Sequence, residues 1–171
     1  MADAACPGCG LALPATPGAP AREGYRSSPE CAALLGEVVA FGMAHPVELA
    51  RWHQTTTDAY LLQHVSADTK PIAMCFALNT LYLVLERGWT GLEGRAAHGH
   101  LANTVPRDEW LRFDVPASVG DVTVLEPALA SSPEEQAAAV ERWGRSVWAA
   151  WSHVHDDVRA MTDRQLGGWR P

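Results

Sequence analysis

The stretch Ile72–Glu86, IAMCFALNTLYLVLE, decides the fold. It is apolar on nearly every side. Its length suits a helix of about four turns, and a helix with no polar face is buried at the centre of a domain. Its end is marked by Arg87-Gly88, a basic residue followed by the glycine that closes many helices. Working back, Asp68 to Pro71 supplies its start. A second helix is expected from about Pro46 to His64 or Val65. Before that, Ser28-Pro29-Glu30 has the chemistry of a helix start, with a hydroxyl cap, a proline at the first helical position and an acid in the first turn. That first helix is expected to reach about Met43. Working forward, Ser132-Pro133-Glu134-Glu135 repeats the same start and opens the last helix, to about Met161. The expected fold is therefore all-α, a four-helix bundle-like single domain over residues 1–171. An arm occupies 1–29, three helices occupy 30–88, and an irregular insertion at 89–132 precedes the last helix at 133–162. Within that insertion, Val119 to Val124 suggests a small β-element or an ordered loop.

Length and composition agree with a globular class. The 171 residues are 47% hydrophobic and 19% charged, which is neither a disordered nor a membrane composition. No window approaches the roughly 20 apolar residues of a membrane span, and the start MADAACPGCG has no secretory pattern. The cytoplasm is the expected compartment. A net charge of −7 argues against a nucleic-acid binder, which needs a basic face. Seven tryptophans offer rigid walls for a core or a pocket.

Chemistry concentrates in the arm. Cys6-Pro7-Gly8-Cys9-Gly10 is the turn of a zinc knuckle: thiolates three residues apart can both reach one ion at about 2.3 Å. Cys31 lies in the first turn of the first helix, where the helix N-terminus favours a thiolate. The expected cofactor is Zn2+, with a redox dithiol as the competing use of the pair. Antiparallel packing of the first two helices brings Cys31 to the end that carries His64, the expected fourth ligand. His53 is eleven residues earlier, about 16 Å away along the axis. Cys75, inside the apolar helix, is expected to be a core residue.

On the second helix His53, Thr57, Tyr60 and His64 share one face, with Gln63 at its edge, and an inward direction is expected. Asp58 is out of phase with that face. Val140, Trp143, Val147, Trp151, Val154 and Val158 form the core stripe of the last helix. His155 borders the stripe beside Trp148, whereas His153 is opposite it. An up-down topology then brings His155 to the His64 end. His98 and His100 form a His-x-His pair with nothing nearby to complete a site.

These residues together resemble a bacterial family of small proteins of unknown function. The matching elements are Cys6-Pro7-Gly8-Cys9-Gly10, Pro29-Glu30-Cys31, the run His53-Gln54 through Asp58, Tyr60 and Gln63-His64, and Val147-Trp148 through Trp151 to His155. The resemblance covers most of the chain and implies no activity. It implies that these residues belong together, and it keeps Asp58 among them. The family's histidine in the third helix is replaced near Leu78 and Asn79.

The expected function is that of a zinc-binding enzyme acting on a small molecule. His155, Asp58 and Tyr60 are its catalytic candidates, and His53, Trp148 and Trp151 line the pocket beside a metal held by Cys6, Cys9, Cys31 and His64. The alternative is a non-catalytic, zinc-stabilised module that binds a ligand or a protein. A third arrangement, in which His53, His64 and His155 converge on a divalent metal, is disfavoured by the spacing of the first two. The expected partner is a small-molecule ligand or substrate, neither nucleic acid nor membrane, and a homodimer is left open.

Overall fold

The computed structural model describes residues 3–20 and 23–171. The fold is all-α, with one short antiparallel hairpin, β1 (Asp3–Ala5) and β2 (Ala12–Pro14), carrying the Cys6–Gly10 turn. Helix α1 (Pro29–Ala44) begins where its sequence indicates, with the Ser28 hydroxyl accepting from the Cys31 N–H at 3.2 Å. Helix α4 (Pro71–Leu85) is the central element, with ten buried residues including every position from Ala77 to Val84. It packs against α3 (His53–Gln63), α5 (Gly91–Thr104), α7 (Pro133–Ala150) and α8 (His155–Leu166). No helix among the described residues is long and apolar enough to cross a membrane.

Three boundaries differ from the sequence reading, each for a tertiary reason. The second helix is divided into α2 (Pro46–Leu49) and α3, with a turn at 50–52. There the Arg51 carbonyl accepts from the Gly91 N–H at 2.7 Å instead of continuing a helix. Trp52 is buried against Val84 and Val140. The segment expected to be irregular contains the 14-residue α5. Thr90 and Glu93 close a full capping box at its start: the Thr90 hydroxyl accepts from Glu93 N–H, and the Glu93 carboxylate accepts from Thr90 N–H. Gly91 and Gly94 obscure this helix in the sequence, and close packing requires the first of them. A Cβ on Gly91 would lie 2.7 Å from the Arg51 carbonyl oxygen, and one on Gly94 would touch the Thr80 side chain at 3.6 Å.

The rest of the insertion is an ordered loop with the short α6 (Leu125–Ala128), and Val119 to Val124 is not a strand. The last helix stops at Ala150 and restarts at His155 after a 3-10 turn over Ser152–Val154. The core stripe survives the break, since Val140, Trp143, Val147, Trp151, Val154 and Val158 are all buried.

Candidate metal centre

Four side chains from three parts of the chain meet where the hairpin touches the bundle. Sγ of Cys6, Cys9 and Cys31 and a ring nitrogen of His64 all lie within 4.8 Å of one another. Cys9 Sγ and Cys31 Sγ are 3.8 Å apart, and Cys31 Sγ is 3.4 Å from His64 Nε2. A tetrahedral ion with sulfur ligands at about 2.3 Å and nitrogen at about 2.05 Å has edges of about 3.8 Å and 3.5 Å. The donors already stand close to that spacing. They could hold a metal ion. Among the described residues, no other cluster of three or more His, Cys, Asp or Glu donors has this closeness.

Local structure explains each position. The Cys6 N–H donates to the Leu11 carbonyl at 2.8 Å and the Gly10 N–H to the Cys6 carbonyl at 2.9 Å, which closes the knuckle. Gly10 has φ +77°, a conformation glycine adopts without strain. Gly8 lies flat on the end of α3: a Cβ there would meet His64 Cδ2 at 2.6 Å, Gln63 O at 2.7 Å and the Arg26 carbonyl. Cys31 occupies the first turn of α1, and the Ser28 N–H donates to Cys6 Sγ at 3.4 Å. Both features place partial positive charge beside thiolates.

His64 caps α3 at its C-terminus. Its Nδ1–H donates to the Tyr60 carbonyl at 2.7 Å, which leaves Nε2 with its lone pair facing the sulfurs. The Tyr60 ring stacks on the imidazole at 4.0 Å, and the Arg26 N–H donates to the His64 carbonyl. Burial pulls the His64 pKa down, but hydrogen bonds to Cys6 and Cys9 and the contact with the Tyr60 carbonyl lift it to about 9. Hydrogen bonds from Cys31 and Cys9 hold Cys6 far below the ordinary thiol range, while Cys31, sharing those bonds, is held up. Cys6, Cys31 and His64 are buried, and Cys9 is half-buried.

The remaining residues singled out in the sequence do not assemble beside this centre. His155 heads α8, where its Nε2–H donates to the Trp148 carbonyl at 2.8 Å and its ring stacks on Trp148 at 3.8 Å. Trp148 in turn donates to Glu86, the residue that caps the C-terminal end of α4. Fifteen residues of helix, about 22 Å, separate that end from Pro71. The expected meeting of His155 with His64 therefore fails. The continuous last helix on which it rested is broken after Ala150, and His155 serves the break. The three-histidine arrangement fails with it.

Nor do His53, Tyr60, Trp148 and Trp151 line one pocket. Tyr60 and Trp151 are wholly enclosed, Trp148 is covered by His155 and Glu86, and His53 sits at the opposite end of α3 from His64.

Asp58 faces the α4–α5 side. Its carboxylate accepts from Gln54 Nε2 at 3.1 Å and from the Thr80 hydroxyl, and burial pushes it up to about 7. His98 donates from Nε2 to the Phe76 carbonyl at 2.9 Å and to Thr80 at 2.8 Å, while His100 stacks on Trp169. The His-x-His pair is thus divided between two neighbourhoods. Cys75 is enclosed, donates to the Leu111 carbonyl at 3.2 Å and has a thiol pushed up to about 12 by burial.

Gln63 has a larger role than the sequence indicates. It donates to the carbonyls of Val119 and Val122, and it accepts from Trp143 Nε1 at 2.8 Å. It ties the insertion and α7 to the helix that ends at the metal centre. Its position beside His64 is the only signal of this in the sequence.

Fold and centre together define a helical domain whose N-terminal hairpin and bundle share one cysteine-histidine cluster. The chain belongs to a family of unknown function, DUF5946, whose profile matches residues 4–152. The match takes in all four donors and ends before His155. No curated protein and no solved structure matches the chain.

Proposed function

We propose that the four donors hold Zn2+, that the ion is structural, and that the protein is a non-catalytic, zinc-stabilised helical module for binding a small ligand. The observation that carries the reading is the closed donor set. Three thiolates and one imidazole lie at tetrahedral spacing, and four protein ligands leave no position for water or substrate. Thiolate-rich tetrahedra suit zinc, and free thiolates at such a centre suit a reducing compartment such as the cytoplasm. The enzyme reading needs an acid or base within reach of the ion. Asp58 and His155 have partners elsewhere, and Tyr60 contributes a stacking ring and a carbonyl to His64. The ion's work is mechanical: it fastens the hairpin to the start of α1 and the end of α3.

Metal analysis and cobalt substitution test this reading. The purified protein carries about one zinc per chain. Its cobalt form shows a tetrahedral, thiolate-rich spectrum that added imidazole or azide leaves unchanged. A spectral change on adding either would reveal an open position and restore the catalytic reading. Metal far below one equivalent, with Cys6 and Cys9 in a disulfide, would replace zinc with redox chemistry.

A further inference from the structure

Away from the metal, a cleft of about 320 Å³ opens where α1, α2, α3 and α5 meet, lined by Met43, Pro46, Leu49, Ala50, His53 and Leu92. Its rim is unusually apolar for a surface. Met43 is 69% exposed, Val47 on the adjoining α2 86% and Leu92 57%, a grouping of the kind that marks binding sites. Among the described residues no Lys, Arg, Asp or Glu lines it. His53 stands between this cleft and a small inner void of about 10 Å³ that Thr56 and Gln136 also line. Among the described residues the His53 imidazole has no hydrogen-bond partner. Four others are hydrogen-bonded, His64 with Tyr60, His98 with Thr80, His153 with Asp114 and His155 with Trp148, while His45 and His100 lie against the rings of Phe41 and Trp169.

We propose that this cleft binds an uncharged, largely apolar small molecule whose single hydroxyl is received by His53. The proposal names a site and a ligand class for the binding module above, and in that respect rests on that reading. The volume lies at the lower end of ligand pockets, which are mostly apolar with few polar groups. A neutral imidazole offers one donor and one acceptor, and a hydroxyl complements either. A carboxylate would enter with its charge uncompensated, because no cationic side chain lines the cleft. Recognition therefore divides between an alkyl body on Met43, Leu49 and Leu92 and a hydroxyl at His53.

The test uses the 171-residue protein as purified, with 13C-labelled methionine methyls at pH 8, titrated with 1-octanol and separately with octanoate. Met43 is one of four methionines, and its methyl is the reporter. With octanol it shifts and saturates while those of Met74 and Met161 stay still. Octanoate binds roughly tenfold or more weakly. His53→Phe lowers octanol affinity roughly tenfold, about the contribution of one hydrogen bond in a dry site, and narrows the gap to octanoate. Leu92→Glu, at an exposed position, abolishes the shift without loss of helical signal.

Several results overturn the proposal. They are no Met43 shift up to octanol saturation, equal shifts at the buried methionines, or octanoate binding as well as octanol. A dimer in sedimentation that dissolves on Met43→Glu would give the cleft to a second copy instead. Zinc content is measured on the same sample. One equivalent of zinc without an octanol response rejects the cleft alone, and an octanol response without zinc rejects the metal reading alone.

Discussion

Burial shifts Asp58 and His98 in opposite directions, and removing either side chain should expose a pH dependence that the intact protein hides. The His98 Nε2–H donates to the Thr80 hydroxyl, which donates to the Asp58 carboxylate, and Gln54 supplies a further donor. Burial pushes Asp58 up to about 7 from its ordinary 3.8 and holds His98 down at about 4 from 6.5. Asp58 is raised in the folded state, so its contribution is greatest below pH 3.8 and is lost as the pH rises through 7, about 4 kcal/mol in all. His98 is depressed, so its contribution is full above pH 6.5 and is lost as the pH falls through 4, about 3 kcal/mol. Between those limits the two slopes have opposite signs and nearly cancel.

Asp58→Asn removes the falling slope. Relative to the parent, that variant should gain about 2 kcal/mol between pH 5 and 6.5, and should be the more stable protein at pH 8. His98→Gln should show the opposite trend over the same range, with the Gln amide standing in for the Nε2–H donor. Urea unfolding followed by far-UV circular dichroism, in excess zinc at pH 5, 6, 7 and 8, measures both. Zinc loss at low pH is common to the three proteins, so only differences between them count. Stability profiles for Asp58→Asn and the parent that run parallel from pH 5 to 8 would refute the burial argument.

Three other outcomes follow from the geometry. Gly8→Ala forces a methyl against the Gln63 carbonyl and the His64 ring; zinc affinity, measured by competition with a chromogenic chelator, should drop at least about tenfold. Gln63→Leu strands the Trp143 indole N–H and two loop carbonyls; it should cost about 3 kcal/mol in urea unfolding. Cys9→Ser, or chelation of the metal, should open the hairpin to limited proteolysis ahead of α1 while far-UV dichroism stays helical, since the hairpin supplies only Cys6 to the buried core, with Cys9 and Leu11 at its edge. Collapse of the helical signal would instead show that the ion holds the whole bundle together.

The metal donors were legible because they obey local rules. Cys-x2-Cys with glycines, and a cysteine three residues after a serine cap, follow from the reach of a thiolate and the geometry of a helix start. His64 followed from hairpin register, which needed only that α1 and α3 be antiparallel. Helix α5 is hidden because its glycines interrupt the helical pattern, although Gly91 is there for close packing. The Thr90–Glu93 capping box stood in the sequence as the contrary signal. The break after Ala150 was not legible. Nothing in VWAAWSHVH interrupts helical periodicity, and at the break the His155 side chain takes a carbonyl seven residues back. The error about His155 is that break carried forward.

Helix α3 explains why a stretch so poor in apolar residues can lie at the centre of the domain. Most of its buried polar side chains are answered, the Thr55 hydroxyl being an exception among the described residues. Thr56 and Thr57 return to the carbonyls of Trp52 and Gln54, Gln54 donates to Asp58, which also accepts from Thr80 on α4, Gln63 holds the insertion and Trp143, and His64 faces the sulfurs. A buried polar group left unpaired is costly, so each of these bonds excludes registers in which its partner is absent. Gln63 and His64 are adjacent, and the loop that Gln63 reaches lies across a cleft from Gly8, Cys9 and Gly10. An ion bound at His64 would therefore fix more than the hairpin. By holding the last turn of α3 in place it would also fix the amide that carries the insertion and α7, so the candidate metal centre and the core would share one anchor at the end of a single helix.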